Sequence, residues 1–506
     1  MRRLVGGLTL LAAALVGVPN AAASPDPAVV RTEAGAVRGS VTDELRTFQG
    51  IPYATVEQRW AASRPVRPWA GTRAATDFGP GCWQPTDIPI AAREQGEDCL
   101  NLNVTTPREP RGLPVVVYLH GGSFTYGTGA NYRPDTMVTR GDVVAVTLNY
   151  RLGAFGFLAH PALDDANLGI ADQQAALRWV RDNIAAFGGN PRNVTIMGQS
   201  GGGYSVCAHL AAPTSAGLFQ RAIVQSAACA GTDGARDRAE AEQDGLAFAA
   251  SVGCGDQRTA LRCLRGKTPA ELLAAAGTGH EGYRPVTGGT LLPVAPARAF
   301  ETGRFNRVPV LYGGNHDEET GRLAGLELVP GATPIDAAAY PGKVAERFGA
   351  DADAVLAEYP LSAYGSPSEA LAAALTDRDW ALPTDATRRL LARHVPTYAY
   401  EFAERDTPWF PGFPAASFPV GASHMLELPY LFTVGYLTPA TQPELRHTMI
   451  DYWTRFARTG NPNARGLAAW PEFHSGQYVQ SLSAESVRRT DFRADHHLGF
   501  WQRLAG

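Results

Sequence analysis

The segment Val194-Thr195-Ile196-Met197, Gly198-Gln199-Ser200-Gly201-Gly202 and Gly203-Tyr204-Ser205-Val206 constrains this chain more than any other. An apolar β-branched run, a GxSxG turn and a small-residue helix start follow one another directly, which is the context of a nucleophile elbow. The flanking glycines let the helix pass close to a strained serine. The hydroxyl of Ser200 is thereby presented at a helix N-terminus, where free N–H groups and the helix dipole favour developing negative charge. Ser200 is the candidate nucleophile, and the amide of Gly201 is a candidate oxyanion donor.

Such an elbow needs a sheet to stand on, and apolar runs supply one: Leu113 to Leu119, Val143 to Leu148, Val194 to Met197, Ala222 to Val224, Val308 to Tyr312 and Thr397 to Phe402. Between them lie amphipathic stretches. Asp172 to Ala186 puts Ala175, Ala176, Trp179, Val180 and Ile184 on one helical face, and Gly188-Gly189 ends that helix. The alternation predicts an α/β fold with a large, mostly parallel central sheet and helices on both faces. Ala-rich helical patterns from about Arg236 to Ala276 and from Asp336 to Arg393 read as helical insertions.

Composition narrows the partners. With 49 Asp+Glu against 45 Lys+Arg, the formal charge of −4 gives no electrostatic basis for binding nucleic acid or an anionic membrane surface. A small neutral substrate fits better. Arg2-Arg3, an apolar run from Leu4 to Val18 and the small-residue site Ala21-Ala22-Ala23 predict a signal peptide over 1–23 and a secreted chain beginning at Ser24, by general or twin-arginine export. That run is shorter than the ~20 residues a membrane helix needs, and no later segment meets the requirement, so no stable membrane insertion is expected. Outside the cytoplasm the six cysteines are expected to pair. Closeness in sequence predicts Cys82 with Cys99 and Cys254 with Cys263, leaving Cys207 and Cys229 as a third pair or as buried thiols. No CxxC spacing or His/Cys cluster predicts a metal site.

A second loop complements the elbow. His120-Gly121-Gly122-Ser123-Phe124 follows the run ending at Leu119 and matches an HGGG-type oxyanion loop with Ser123 in place of the last glycine. It adds Gly122 and Ser123 as candidate donors.

Taken together, these segments resemble a known family. Phe187-Gly188-Gly189-Asn190-Pro191-Arg192-Asn193 running into the elbow is similar to the active-site signature of type-B carboxylesterases, the group that includes the cholinesterases. Glu97-Asp98-Cys99-Leu100-Asn101-Leu102-Asn103-Val104 resembles their second signature, with Asn101 where Tyr or Thr is usual. Gly50-Ile51-Pro52-Tyr53-Ala54, Asn149-Tyr150-Arg151-Leu152-Gly153 and Thr459-Gly460-Asn461-Pro462-Asn463 extend the likeness over nearly the whole mature chain. Length alone suggests about three domains at roughly 150 residues each; the resemblance instead implies one α/β-hydrolase domain over 24–506.

It also implies the partners of Ser200. Gly313-Gly314-Asn315-His316-Asp317-Glu318-Glu319 resembles the family's acid loop and places the catalytic carboxylate at Glu318, although Glu319 stands where the family has glycine. Gly421-Ala422-Ser423-His424-Met425-Leu426-Glu427 resembles the segment bearing the catalytic histidine, which makes His424 the base. The chemistry needs all three groups, because a hydroxyl is a poor nucleophile until a neutral imidazole takes its proton and a carboxylate fixes that imidazole. His316 is the rival base by proximity to the acid. His120 is expected to shape the oxyanion loop, and the remaining histidines to pack or face solvent. Arg151 and Asp172 stand where the family has a buried ion pair, and Ser226 where it has a hydrogen-bonding serine near the triad.

The predicted activity is hydrolysis of small carboxylic esters through an acyl-serine intermediate, with no cofactor. Two alternatives compete: a non-catalytic binding or adhesion protein of the same fold, and a serine hydrolase acting on a lactone, amide or lipid ester. Survival of serine, carboxylate and histidine at the matched places favours an enzyme. Cholinesterase activity is disfavoured, because Trp83 directly follows Cys82 instead of lying late in the Cys82–Cys99 loop, where the choline-binding aromatic of that subfamily stands. The natural ester and the oligomeric state have no signature in the sequence.

Overall fold

The computed structural model describes residues 26–504 except 232–233, 278–281, 330, 408 and 475. The expected signal peptide and His280 lie outside the described residues. The described chain is built on an 11-stranded sheet. In chain order its strands are β1 (Ser40–Val41), β2 (Leu45–Pro52), β3 (Asn101–Pro107), β4 (Leu113–Leu119), β5 (Val144–Leu148), β6 (Gly189–Gln199), β7 (Arg221–Gln225), β8 (Val310–Asn315), β9 (Thr397–Phe402), β10 (Val479–Leu482) and β11 (Val487–Thr490). They lie side by side as β11-β10-β9-β8-β7-β6-β4-β5-β3-β2-β1. From β5 across to β10 every neighbouring pair is parallel. Antiparallel strands finish both edges.

The six apolar runs are the middle of this sheet, as the pattern predicts. They read as near-continuous apolar sequence because both faces are covered. Val115, Val117 and Leu119 of β4 join one core cluster, whereas Val116 and Tyr118 point into another on the opposite face. The predicted helix forms over Leu168–Asn183 (α1), four residues earlier than its apolar pattern begins, and a 3-10 turn carries it to Phe187. Gly188 closes it at φ 85°, a left-handed position that suits glycine. Helix α1 and the helix Gly201–Ala211 (α2) cover one face. Pro443–Thr459 (α3) covers the other through Leu445, Met449, Ile450, Trp453 and Phe456.

Both Ala-rich regions are helical. The first holds helices Arg238–Ser251, Ala260–Gly266 and Pro269–Ala276. The second holds Tyr340–Phe348, Ala352–Glu358, Pro367–Thr376 and Leu382–Ala392, with a π-helical turn, Asp377–Ala381, joining the last two. Three disulfides are present: Cys82–Cys99, Cys254–Cys263 and Cys207–Cys229. The third resolves the alternative left by the sequence, and it ties α2 to the loop that follows β7. The matched ion pair also forms, with both guanidinium donors Nε and Nη2 of buried Arg151 on the carboxylate of Asp172 at 2.7 and 2.8 Å. Among the described residues no helix is long and apolar enough to cross a membrane.

Candidate active site

Strand β6 ends at Gln199 and helix α2 begins at Gly201, so Ser200 is the single residue between them. Its backbone sits at φ 56°, ψ −124°, a region that side-chain-bearing residues rarely occupy. The strain is held by Ser200 N donating to Gln225 O at 2.9 Å and Tyr204 N donating to Ser200 O at 2.9 Å. Two glycines make the turn passable. A Cβ on Gly198 would meet Gly202 O at 2.2 Å, and one on Gly202 would meet Leu119 O at 1.9 Å.

The loop after β4 bends over this turn. Gly122, Ser123 and Phe124 have φ of 109°, 53° and 56°. Ser123 N lies 3.2 Å from the position a Cβ would take on Gly201, so the predicted donor loop and the helix start face each other. Among the described residues no acceptor engages the amides of Gly122, Ser123 or Gly201, so all three are free to donate. His120 shapes this loop as expected. It is buried, stacks on Tyr150 with ring centroids 4.4 Å apart, and hydrogen-bonds Gly121 O through Nδ1 at 2.9 Å. Burial pulls its pKa down to about 4, so it is neutral.

Strand β8 runs to Asn315 and delivers the acid loop directly beside β7. Glu318 is buried; one of its oxygens accepts from Asn315 N at 2.8 Å and the other lies 2.5 Å from His424 Nδ1. His424 N donates to Glu318 O at 3.3 Å, which adds a backbone contact between the two loops. Burial pulls the His424 imidazole down in pKa, but the charge and hydrogen bond of Glu318, with Glu427 and Glu319 behind them, move it above the ordinary value. Nδ1 is thus the protonated nitrogen, and Nε2 is left to accept. Gln199 Nε2 lies 3.2 Å from it.

The neighbouring candidates sort themselves by contact. Asp317 turns away from His424 to Arg405, at 2.7 Å, and to His316, at 2.9 Å. Burial works against its charge, yet these two partners hold its carboxyl well below the ordinary range. His316 therefore spends Nδ1 on Asp317, not on Glu318. Glu319 points elsewhere again, accepting from Trp380 Nε1 at 2.8 Å and pairing with Arg322. Ser226 corrects its expectation: its amide donates to Gly313 O at 2.8 Å, but its buried hydroxyl has no hydrogen-bond partner among the described residues.

Three further residues border this site and escaped the sequence reading. Glu427, three residues beyond His424, is fully buried and accepts from Asn315 Nδ2 at 2.8 Å and Gln225 Nε2 at 3.1 Å. Burial, and then the charge of Glu318, push its carboxyl up to about 7. Trp380 stands against His424, with ring centroids 4.8 Å apart. Gln199 was visible as the variable residue of GxSxG, but its contact with the imidazole was not. An open concavity of about 560 Å³ lies apart from these residues, lined by Trp83, Gln84, Pro85 and Asp87 of the Cys82–Cys99 loop and by Leu273.

By residue type, His316, Glu401 and His496 could hold a metal, since one ligand atom from each lies within 4.8 Å of the others. The hydrogen bonds argue for protons instead. His496 Nδ1 lies 2.5 Å from Asp377 Oδ1, and Nε2 lies 2.5 Å from Glu401 Oε1. Carboxylates only accept, so both ring nitrogens carry hydrogen and neither offers a lone pair.

A mostly parallel sheet bearing a strained serine at a strand–helix turn defines an enzyme of the α/β-hydrolase fold. The chain belongs to the carboxylesterase family, whose model matches residues 26–501, and it is a carboxylic ester hydrolase. It is 33% identical to the para-nitrobenzyl esterase of Bacillus subtilis (strain 168) over 88% of this chain and 92% of that one. It is 33% identical to the fumonisin B1 esterase of Sphingopyxis macrogoltabida over 92% and 89%, and 32% identical to the acylcarnitine hydrolase of Mus musculus over 98% and 94%. Among solved structures, a thermophilic PNB esterase superposes with a TM-score of 0.77 at 30% identity, covering 94% of this chain and all (100%) of its own.

Proposed function

We propose that this chain is a secreted serine esterase working through an acyl-serine intermediate, with Ser200 as nucleophile, His424 as general base and Glu318 as the carboxylate that orients it. The supporting observation is the 2.5 Å contact between His424 Nδ1 and Glu318 Oε2, with Ser200 strained at the elbow. In the reaction, Nε2 of neutral His424 takes the proton of Ser200 as Oγ bonds to the ester carbonyl carbon. Gln199 must yield that nitrogen to the serine. The carbonyl oxygen becomes an oxyanion that accepts from the amides of Gly122, Ser123 and Gly201. When the intermediate collapses, the C–O bond to the alcohol breaks and His424 returns the proton to the departing oxygen. Water repeats the sequence on the acyl-serine and releases the acid. No step draws on a cofactor.

The relatives' names span para-nitrobenzyl ester, fumonisin B1 and acylcarnitine, which favours small esters as the substrate class without selecting an alcohol. Export with cleavage after Ala23 is part of the reading, supported by three disulfides. So is a single domain over 24–506, supported by the family match and by a sheet that draws strands from residue 40 to residue 490. The test is hydrolysis of a short-chain aryl ester by the purified mature chain. Ser200→Ala is expected to abolish turnover with an unchanged circular-dichroism spectrum. Ordinary activity in folded Ser200→Ala protein, free of contaminating esterase, would overturn the serine mechanism.

A further inference from the structure

Trp380 lies in the π-helical turn Asp377–Ala381. Such single-turn π segments are rare and concentrate at functional sites. Its ring is 4.8 Å from the His424 ring with the planes tilted by 47°, within the range over which an aromatic face attracts a cation. Several contacts fix the indole there. Its N–H donates to Glu319 Oε1 at 2.8 Å, the other Glu319 oxygen pairs with Arg322, and Glu319 N donates to Thr376 Oγ1 at 3.1 Å, just before the turn. The start of the turn is held as well, since Asp377 accepts from His496 at 2.5 Å and from Tyr359 at 2.7 Å. Glu319 is the position at which the acid loop departs from the family pattern.

We propose that Glu319 and Trp380 act as a positioning pair, in which the carboxylate anchors an indole whose face stabilises the His424 imidazolium formed when the proton of Ser200 is taken. The proposal rests on the Ser200, Glu318 and His424 reading. An aromatic quadrupole attracts a cation more than a neutral ring, so the contact strengthens as charge moves onto His424 and lowers the barrier more than it tightens substrate binding. The charged groups facing the imidazole are Glu318, Glu427 and Glu319, with Arg322 behind Glu319. Glu319 therefore acts in two ways, by its own charge and by holding the indole, and substitutions separate them. Glu319→Gln keeps an acceptor for the indole and removes the charge. Glu319→Gly removes both.

The experiment compares Trp380→Leu, Trp380→Phe, Glu319→Gly and the double variant Glu319→Gly/Trp380→Leu on one aryl ester across pH. It is paired with NMR titration of the His424 imidazole in each free protein. Trp380→Leu is expected to lower kcat roughly tenfold with little change in KM, and Trp380→Phe, which keeps an aromatic face, to recover most of that loss. The His424 titration should move to lower pH in Trp380→Leu, because the cation has lost a partner. If the two residues act through one contact, Trp380→Leu costs clearly less in the Glu319→Gly background than in the parent, whatever the charge of Glu319 adds by itself. An unmoved imidazole titration in Trp380→Leu, or losses at 319 and 380 that simply multiply, would overturn the pairing. Should Trp380→Leu fail to fold, the same decision falls to Trp380→Phe against Glu319→Gly. The imidazole titration needs no turnover, so it judges this pair independently of Ser200→Ala.

Discussion

Two imidazoles in this protein each lie 2.5 Å from a carboxylate oxygen, and they do opposite things. His424 spends Nδ1 on Glu318 and leaves Nε2 toward the elbow, where the amide of Gln199 approaches it at 3.2 Å. His496 spends both nitrogens, one on Asp377 and one on Glu401, and is buried with them. The first arrangement suits the proposed base, because one lone pair remains to accept a proton. The second is a clamp, because a doubly protonated ring between two carboxylates joins the π-helical turn, strand β9 and the C-terminal segment by charge. A histidine–carboxylate contact by itself therefore identifies nothing; the state of the other nitrogen separates chemistry from architecture.

The comparison breaks most visibly at the carboxylates. Glu318→Gln should leave an imidazole with the wrong tautomer and lower kcat by ~10³–10⁴-fold with KM nearly unchanged. Asp317→Asn and Glu319→Gln, measured on the same ester at the same pH, should stay within roughly tenfold of the parent, because neither touches His424 in place of Glu318. A collapse at either neighbour with Glu318→Gln active would shift the loop register by one residue.

The clamp should fail in stability before activity. His496→Gln strands Asp377 and Glu401 as buried carboxylates, and removing one partner from such a set costs about 3–5 kcal/mol. Urea unfolding measures this, and a loss under about 1 kcal/mol would remove the clamp from the account. pH adds a sign. Burial pulls the His496 imidazole down, but Asp377 and Glu401 push it up to about 10 from an ordinary 6.5. A raised histidine contributes stability that is complete below the unfolded value and is lost as pH rises toward 10. The parent should therefore lose stability between about pH 6.5 and pH 10, and His496→Gln should lose less over that window. Equal slopes would show that another group carries the charge.

The smallest expected effect lies on His424 itself. Its pKa is raised, because the carboxylates of Glu318, Glu427 and Glu319 outweigh burial. Since the base must be neutral, the acid limb of kcat/KM should fall at a pH above the 6.5 of an ordinary histidine. A limb below that value would mean that burial wins over the carboxylates.

What the sequence alone determined is local. The elbow is written in consecutive residues, since a strand, a strained serine and the glycines that relieve crowding must be neighbours, and the central strands are legible because two-sided burial demands apolar runs. Strands β1, β2, β3, β10 and β11, toward the two edges, went unseen, because their sequences mix polar and apolar residues without a continuous apolar run. The partners of Ser200 came from a family resemblance and not from spacing, because 118 residues separate Ser200 from Glu318 and 106 separate Glu318 from His424. Only the tertiary structure showed which of three adjacent carboxylates meets the imidazole, that Cys207 reaches Cys229, and that Trp380 and Glu427 crowd the base. It alone separated His424 from His496, since the side chains that occupy a ring's second nitrogen come from strands and turns that folding, not sequence order, brings together.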